Sequence, residues 1–175
     1  MSSSRSVEEL EELPNDGADM ELDNTDRAIL QALLKDSRAS QRELSRIVGV
    51  AQGTITNRLK RLENNGVISG YSVVLDPESV GWTMTIMAGL CIAKGKMIDV
   101  QRKIAADSRV FSVYDVTGDW DSMVLARVRD RADLDDLTKT VFTLEGVTRS
   151  FTHVVLNTVK EDGFAKPAPD KSMNE

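Results

Sequence analysis

Between Gln52 and Arg61 the chain gathers Gln52, Gly53, Thr54, Thr56, Asn57, Arg58, Lys60 and Arg61, with Arg42 a short way upstream. The amides of Gln52 and Asn57 can each bond an adenine edge at two points, and Arg58 can do the same to guanine. The threonine methyls can meet that of thymine, while Lys60 and Arg61 suit phosphate oxygens. These are the side chains with which a helix reads a DNA duplex; a solvated helix face has the same composition, so the elements around it decide. Other chemistries lack their residues. No nucleophile motif, phosphate-binding loop or G-x-G-x-x-G run occurs. Cys91 and His153 are the only cysteine and histidine, too few for a zinc cluster, so neither a catalytic residue nor a metal site is expected. His153 in an alternating strand and Cys91 in an apolar one read as packing residues, as do Met84, Met87, Met97 and Met123.

A net charge of -6 over 175 residues is at odds with phosphate binding until it is divided along the chain. Residues 1–23 hold eight acids and only Arg5 as a base. Residues 24–75 hold eight bases, Arg27, Lys35, Arg38, Arg42, Arg46, Arg58, Lys60 and Arg61, against Asp26, Asp36, Glu43 and Glu63. Positive charge sits where a DNA-reading unit would be, and the acidic remainder suits a cytoplasm of high ionic strength. No run reaches the roughly 18 to 20 apolar residues of a membrane span, and the acidic start is unlike a secretory or transit signal. A cytoplasmic protein that makes no membrane contact is expected.

The basic stretch has helical periodicity. Ile29, Leu30, Leu33 and Leu34 share a face after the Asp23/Asn24 cap, predicting a helix over 25–35. Ser40-Gln41-Arg42-Glu43 is a capping box opening a short second helix that Gly49 stops. Ile55, Leu59 and Leu62 predict a third over 52–64, closed at Gly66. Ala51 supplies no capping oxygen and Gly53 weakens the first turn, which a phosphate would tie down. Two short helices about Gly49-Val50 make a helix-turn-helix. Val67, Ile68, Tyr71, Val73 and Leu75 read as extended segments about Gly70, a wing closed by Asp76-Pro77.

The second half reads strand over 83–93, helix over 97–106, strands over 110–117 and 123–128, helix over 134–143 and strand over 147–159. That βαββαβ order predicts an antiparallel four-stranded sheet with both helices on one face. In the first strand Met84, Ile86, Ala88, Leu90 and Ile92 alternate with Met87, Gly89, Cys91 and Ala93, apolar on both faces. A half-covered sheet should be polar on its free side, so a second copy is expected to cover it. The resulting division is an acidic tail over 1–22, with a short helix possible at 7–13; a winged helix-turn-helix over 23–76; a linker over 77–82; a ferredoxin-like α+β unit over 83–160; and a tail over 161–175.

Three runs in the first half, Leu22-Asp23-Asn24-Thr25-Asp26-Arg27-Ala28-Ile29-Leu30, Leu44-Ser45-Arg46-Ile47-Val48-Gly49-Val50 and Arg58-Leu59-Lys60-Arg61-Leu62-Glu63-Asn64-Asn65-Gly66-Val67-Ile68, resemble the Lrp/AsnC (feast/famine) regulators. So do Thr117-Gly118-Asp119-Trp120-Asp121, Leu144-Glu145-Gly146-Val147 and Thr152-His153-Val154-Val155-Leu156 in the second. The resemblance implies a DNA-binding transcription regulator with double-stranded DNA as partner, a homodimer that assembles into a tetramer or octamer, and an amino acid as effector rather than a cofactor. It also implies that Gly118, Asp119, Trp120 and Asp121 line the effector pocket. Gly118 would let the backbone approach a carboxylate, an aspartate would hold an ammonium group and Trp120 would wall an apolar side chain. A hairpin turn capped by Asp121 is the plainer account of the same residues. Trp120 where Tyr is usual, and Ala51 where Ser is usual, depart from the pattern. Two alternatives remain: an architectural, nucleoid-type DNA protein, and an enzyme like the haem-precursor decarboxylases, which share this architecture but use basic and histidine side chains.

Overall fold

The computed structural model describes residues 21–161, which divide along the chain into two compact units between Val73 and Val74. The expected tails, and the possible helix at 7–13, lie almost wholly outside the described residues.

The first unit is three helices: α1 (Asn24–Lys35), α2 (Gln41–Val48) and α3 (Gln52–Asn64). Both expected caps form. Asp23 exchanges hydrogen bonds with Asp26 across the first turn of α1, and Ser40 with Glu43 across that of α2. The backbone N–H of Ser40 holds the Glu43 carboxyl below its usual range. Gly49 closes α2 with a left-handed φ of 77°, a conformation that suits a residue without Cβ. Ile29, Ala32, Leu44, Ile55, Leu59 and Leu62 make the core. Each fully buried Leu or Ile stabilises by about 1.5–3 kcal/mol, and together they fix three short helices that would not persist alone.

The wing segment carries no strand ladder. No strand forms over 67–75, and Gly70 is not among the left-handed glycines a tight turn would use. Ile68 packs on the core and Tyr71 donates to Glu63 Oε1 at 3.0 Å, but Val73, Val74 and Leu75 are exposed. A lone two-stranded ribbon is marginal in water, and among the described residues this segment pairs with no strand of the sheet.

The second unit opens with a short 3-10 helix, Glu78–Val80, within the expected linker. It continues with β1 (Met84–Ile92), α4 (Met97–Ala105), β2 (Val110–Asp115), β3 (Ser122–Val128), α5 (Arg131–Thr140) and β4 (Val147–Val154). The sheet order is β2-β3-β1-β4, every pair antiparallel. Ile86, Ala88, Leu90 and Ile92 of β1 and Val124, Ala126 and Val128 of β3 bury against Val100 and Ile104 of α4 and Leu137 of α5. The opposite face carries Met87, Tyr114 and Phe151, all substantially exposed. α5 begins three residues before its expected start because Asp130 accepts from the Asp133 backbone N–H as N-cap. β4 ends at Val154, leaving Leu156 and Val159 exposed. No helix among the described residues is long and apolar enough to cross a membrane.

Candidate nucleic-acid interface and effector loop

α3 lies against α1 and α2 through Ile55, Leu59 and Leu62, so its remaining faces are set by that stripe. Gln52, Gly53, Thr54, Asn57 and Lys60 are exposed, as is Arg42 on α2. Among the described residues no side-chain partner holds the amides of Gln52 and Asn57. The start of α3 has no side-chain cap, as Ala51 requires, leaving unpaired N–H groups at its first turn where an anion is favoured. The turn before it is fixed by Ser45 Oγ, which donates to Val50 O at 2.5 Å.

Three of the expected contact residues are committed elsewhere. Thr56 Oγ1 donates to Gln41 Oε1 at 2.6 Å, tying α3 to α2. Arg58 and Arg61 turn away from the open face toward the start of α1. Arg58 Nη1 reaches Asp23 Oδ2 and lies 3.3 Å from both Asp26 oxygens, while Arg61 Nη2 donates to Asp26 Oδ2. The physical reason is Asp26, which is fully buried. A carboxylate removed from water costs several kcal/mol unless cations pair with it. The Asp26 backbone N–H, together with Arg58, holds the Asp23 carboxyl below its usual range, and Asp23 in turn raises Arg58. Sequence reading took Asp23 only as a cap and missed this cluster, because its partners lie more than 30 residues apart.

In the second unit the structure brings Gly118, Asp119, Trp120 and Asp121 together in the β2–β3 loop but gives them different work. Gly118 has a φ of 114°. Asp121 belongs to the frame: its N–H donates to Leu90 O at 2.9 Å and its Oδ2 accepts from Ile92 N–H at 2.7 Å. Trp120 lies across the sheet, its ring directly over Gly89. Arg149 stacks on the indole, 4.4 Å from its centroid, with Phe151 at 6.2 Å. Asp119 accepts from Cys91 Sγ through its backbone oxygen at 3.6 Å, and its exposed carboxylate has no partner among the described residues. Arg149, Phe151 and Cys91 were not expected here; the glycine inside an apolar strand was the available cue, since such a glycine marks close approach of another group.

A cavity of about 670 Å³ lies elsewhere in this unit, lined by Trp82, Ser108 and a charged set around Arg109. Arg109 pairs with Asp107 at 2.7 Å, Asp133 at 3.1 Å and Asp136 at 2.7 Å, so its charge is internally neutralised.

Residues 22–69 match the model for winged helix-turn-helix DNA-binding, and residues 85–163 that for the Lrp/AsnC ligand binding domain. An uncharacterized HTH-type transcriptional regulator of Pyrococcus horikoshii is 47% identical over 148 residues, covering 85% of this chain and 100% of the relative. E. coli AsnC superimposes with a TM-score of 0.78 at 24% identity, over 83% of this chain and 98% of that one, a likeness of fold. The feast or famine regulatory protein of M. tuberculosis complexed with L-methionine superimposes with a TM-score of 0.76 at 30% identity, covering 83% of this chain and 99% of that one.

Proposed function

Since the chain belongs to the Lrp/AsnC family of DNA-binding transcriptional regulators, we propose that it reads operator DNA through Gln52, Thr54 and Asn57 of α3, with Lys60 and Arg42 on flanking phosphates. One observation carries this reading: the amide and hydroxyl side chains at the start of α3 are exposed and unpaired, beside uncapped N–H groups, as base-edge and phosphate contacts require.

The second unit supplies dimerisation and ligand response. A second copy covers the sheet face bearing Met87, Tyr114 and Phe151, because an apolar patch of that kind is not left in water. Two α3 helices then face successive major grooves, and the operator is a pseudo-palindrome. The effector is an α-amino acid with an apolar side chain. Asp119 offers the free carboxylate for its ammonium group, Gly118 the bare backbone for its carboxylate and Trp120 a wall for its side chain. The methionine held by the M. tuberculosis relative supports that class. Binding at this loop alters how dimers assemble and so which sites are occupied together. A role in regulation, at the DNA, accounts for these features without catalysis.

The test is a thermal-shift screen of the twenty amino acids on the full chain, followed by gel shifts with DNA selected from a random pool. Stabilisation by one or a few apolar amino acids that also changes the DNA-bound species is expected. No shift with any amino acid contradicts the effector assignment.

A further inference from the structure

Of the three cations on the expected reading helix, only Lys60 is left on its open side. Arg58 and Arg61 stand one helical turn apart on the opposite flank, and both end on Asp26. Asp26 is 0% exposed and accepts in addition from the Asp23 N–H at 3.2 Å, so its carboxylate is held by donors from the α1 cap and from α3. Removing the arginines from it would strand a buried charge. The pair is therefore not available for phosphates at small cost.

The geometry also fixes an angle. Two anchors at i and i+3 on one flank, with Thr56 tied to Gln41 on the other, add to the buried Ile55, Leu59 and Leu62 stripe in holding the rotation of α3 about its own axis. Rotation decides where Gln52, Thr54 and Asn57 point. The uncapped start of the helix supplies no restraint of its own.

We infer that Asp26, assisted by Asp23, is a positioning residue for sequence recognition: it holds Arg58 and Arg61 as struts that orient α3, and leaves phosphate contact to the other cations. This rests on the reading of α3 as the DNA-contacting helix. Asp23 is the adjustable half of the device, since its side chain is 48% exposed whereas that of Asp26 is 0%. Its hold on Arg58 is the one a phosphate could replace.

The test uses the full chain and two probes, a duplex that the wild type selects from a random pool and a shuffled duplex of equal composition, each titrated across a salt series. Each phosphate contact contributes about 0.9 to the slope of log affinity against log salt concentration. Lys60→Gln is expected to flatten that slope on the shuffled duplex by about 0.9, and Arg58→Gln to leave it unchanged. Asp23→Asn keeps the helix cap, because Asn caps as well as Asp. It removes one of the two carboxylates that hold Arg58, leaving Asp26, and is expected to steepen the slope by up to about 0.9 while lowering the selected-to-shuffled affinity ratio several-fold. A purely structural role would lower the melting temperature without moving ratio or slope. The inference is overturned if Arg58→Gln flattens the slope as Lys60→Gln does, or if Asp23→Asn leaves slope and ratio at wild-type values. A wild-type ratio near one would instead sink the sequence-specific reading itself.

Discussion

The indole of Trp120 lies so close over Gly89 that a Cβ added to the glycine would stand 2.5 Å from the ring. The side chain that would wall the effector is thereby seated on the sheet rather than held out in solvent. Even Gly89→Ala must lift the indole, since the atoms it meets belong to the fused ring and not to a flexible tip. A loss of roughly 1–3 kcal/mol is expected, the usual cost of overpacking. A red shift of tryptophan fluorescence, compared with Trp82→Phe and Trp120→Phe backgrounds, would locate the change at Trp120.

Asp119 and Asp121 should separate cleanly. Asp121→Ala removes the acceptor of the Ile92 N–H and is expected to cost about 1–3 kcal/mol in thermal unfolding. Asp119→Ala removes an exposed carboxylate without a partner and should change stability by no more than about 0.5 kcal/mol, while altering ligand response or oligomer size. An Asp119→Ala protein with unaltered response and assembly would remove Asp119 from the effector site.

Acid should weaken the second unit through Arg109. Hydrogen bonds from Arg129, and then from Arg109, hold the Asp133 carboxyl well below its usual value, and Arg109 does the same to Asp107. With folded-state values depressed, the stabilisation is complete above the unfolded carboxylate range of about pH 4 and is lost as pH falls through the folded values. Melting temperature should therefore fall steeply below about pH 4. Arg109→Met should lose roughly 1–3 kcal/mol at neutral pH, because Asp107 and Asp133 lose the guanidinium they share while Asp133 keeps Arg129, and show a shallower acid limb. Equal acid limbs in the two proteins would contradict this.

Much of the frame is legible in local sequence. Ser40 and Glu43, or Ile55, Leu59 and Leu62, announce their helices because the bonds and contacts involved span one or two turns. The strand alternation of β1 likewise gives its buried face directly. What escapes is non-local or cooperative. Nothing in the spacing of Asp26, Arg58 and Arg61 shows that a buried carboxylate will draw two arginines off the open face. The stacking of Arg149 on Trp120 depends on β4 lying beside β1. The wing residues have strand-like composition, but composition cannot supply an edge to pair with.

Asn57 bears the central claim, that the exposed start of α3 reads base edges. Affinity of wild type and Asn57→Ala for the wild-type-selected duplex and its shuffled counterpart, at fixed salt, tests it most directly. The account predicts that the variant loses about 1–3 kcal/mol on the selected duplex alone, with its melting temperature and oligomeric state unchanged. Equal losses on both duplexes, or no loss on either, would contradict it.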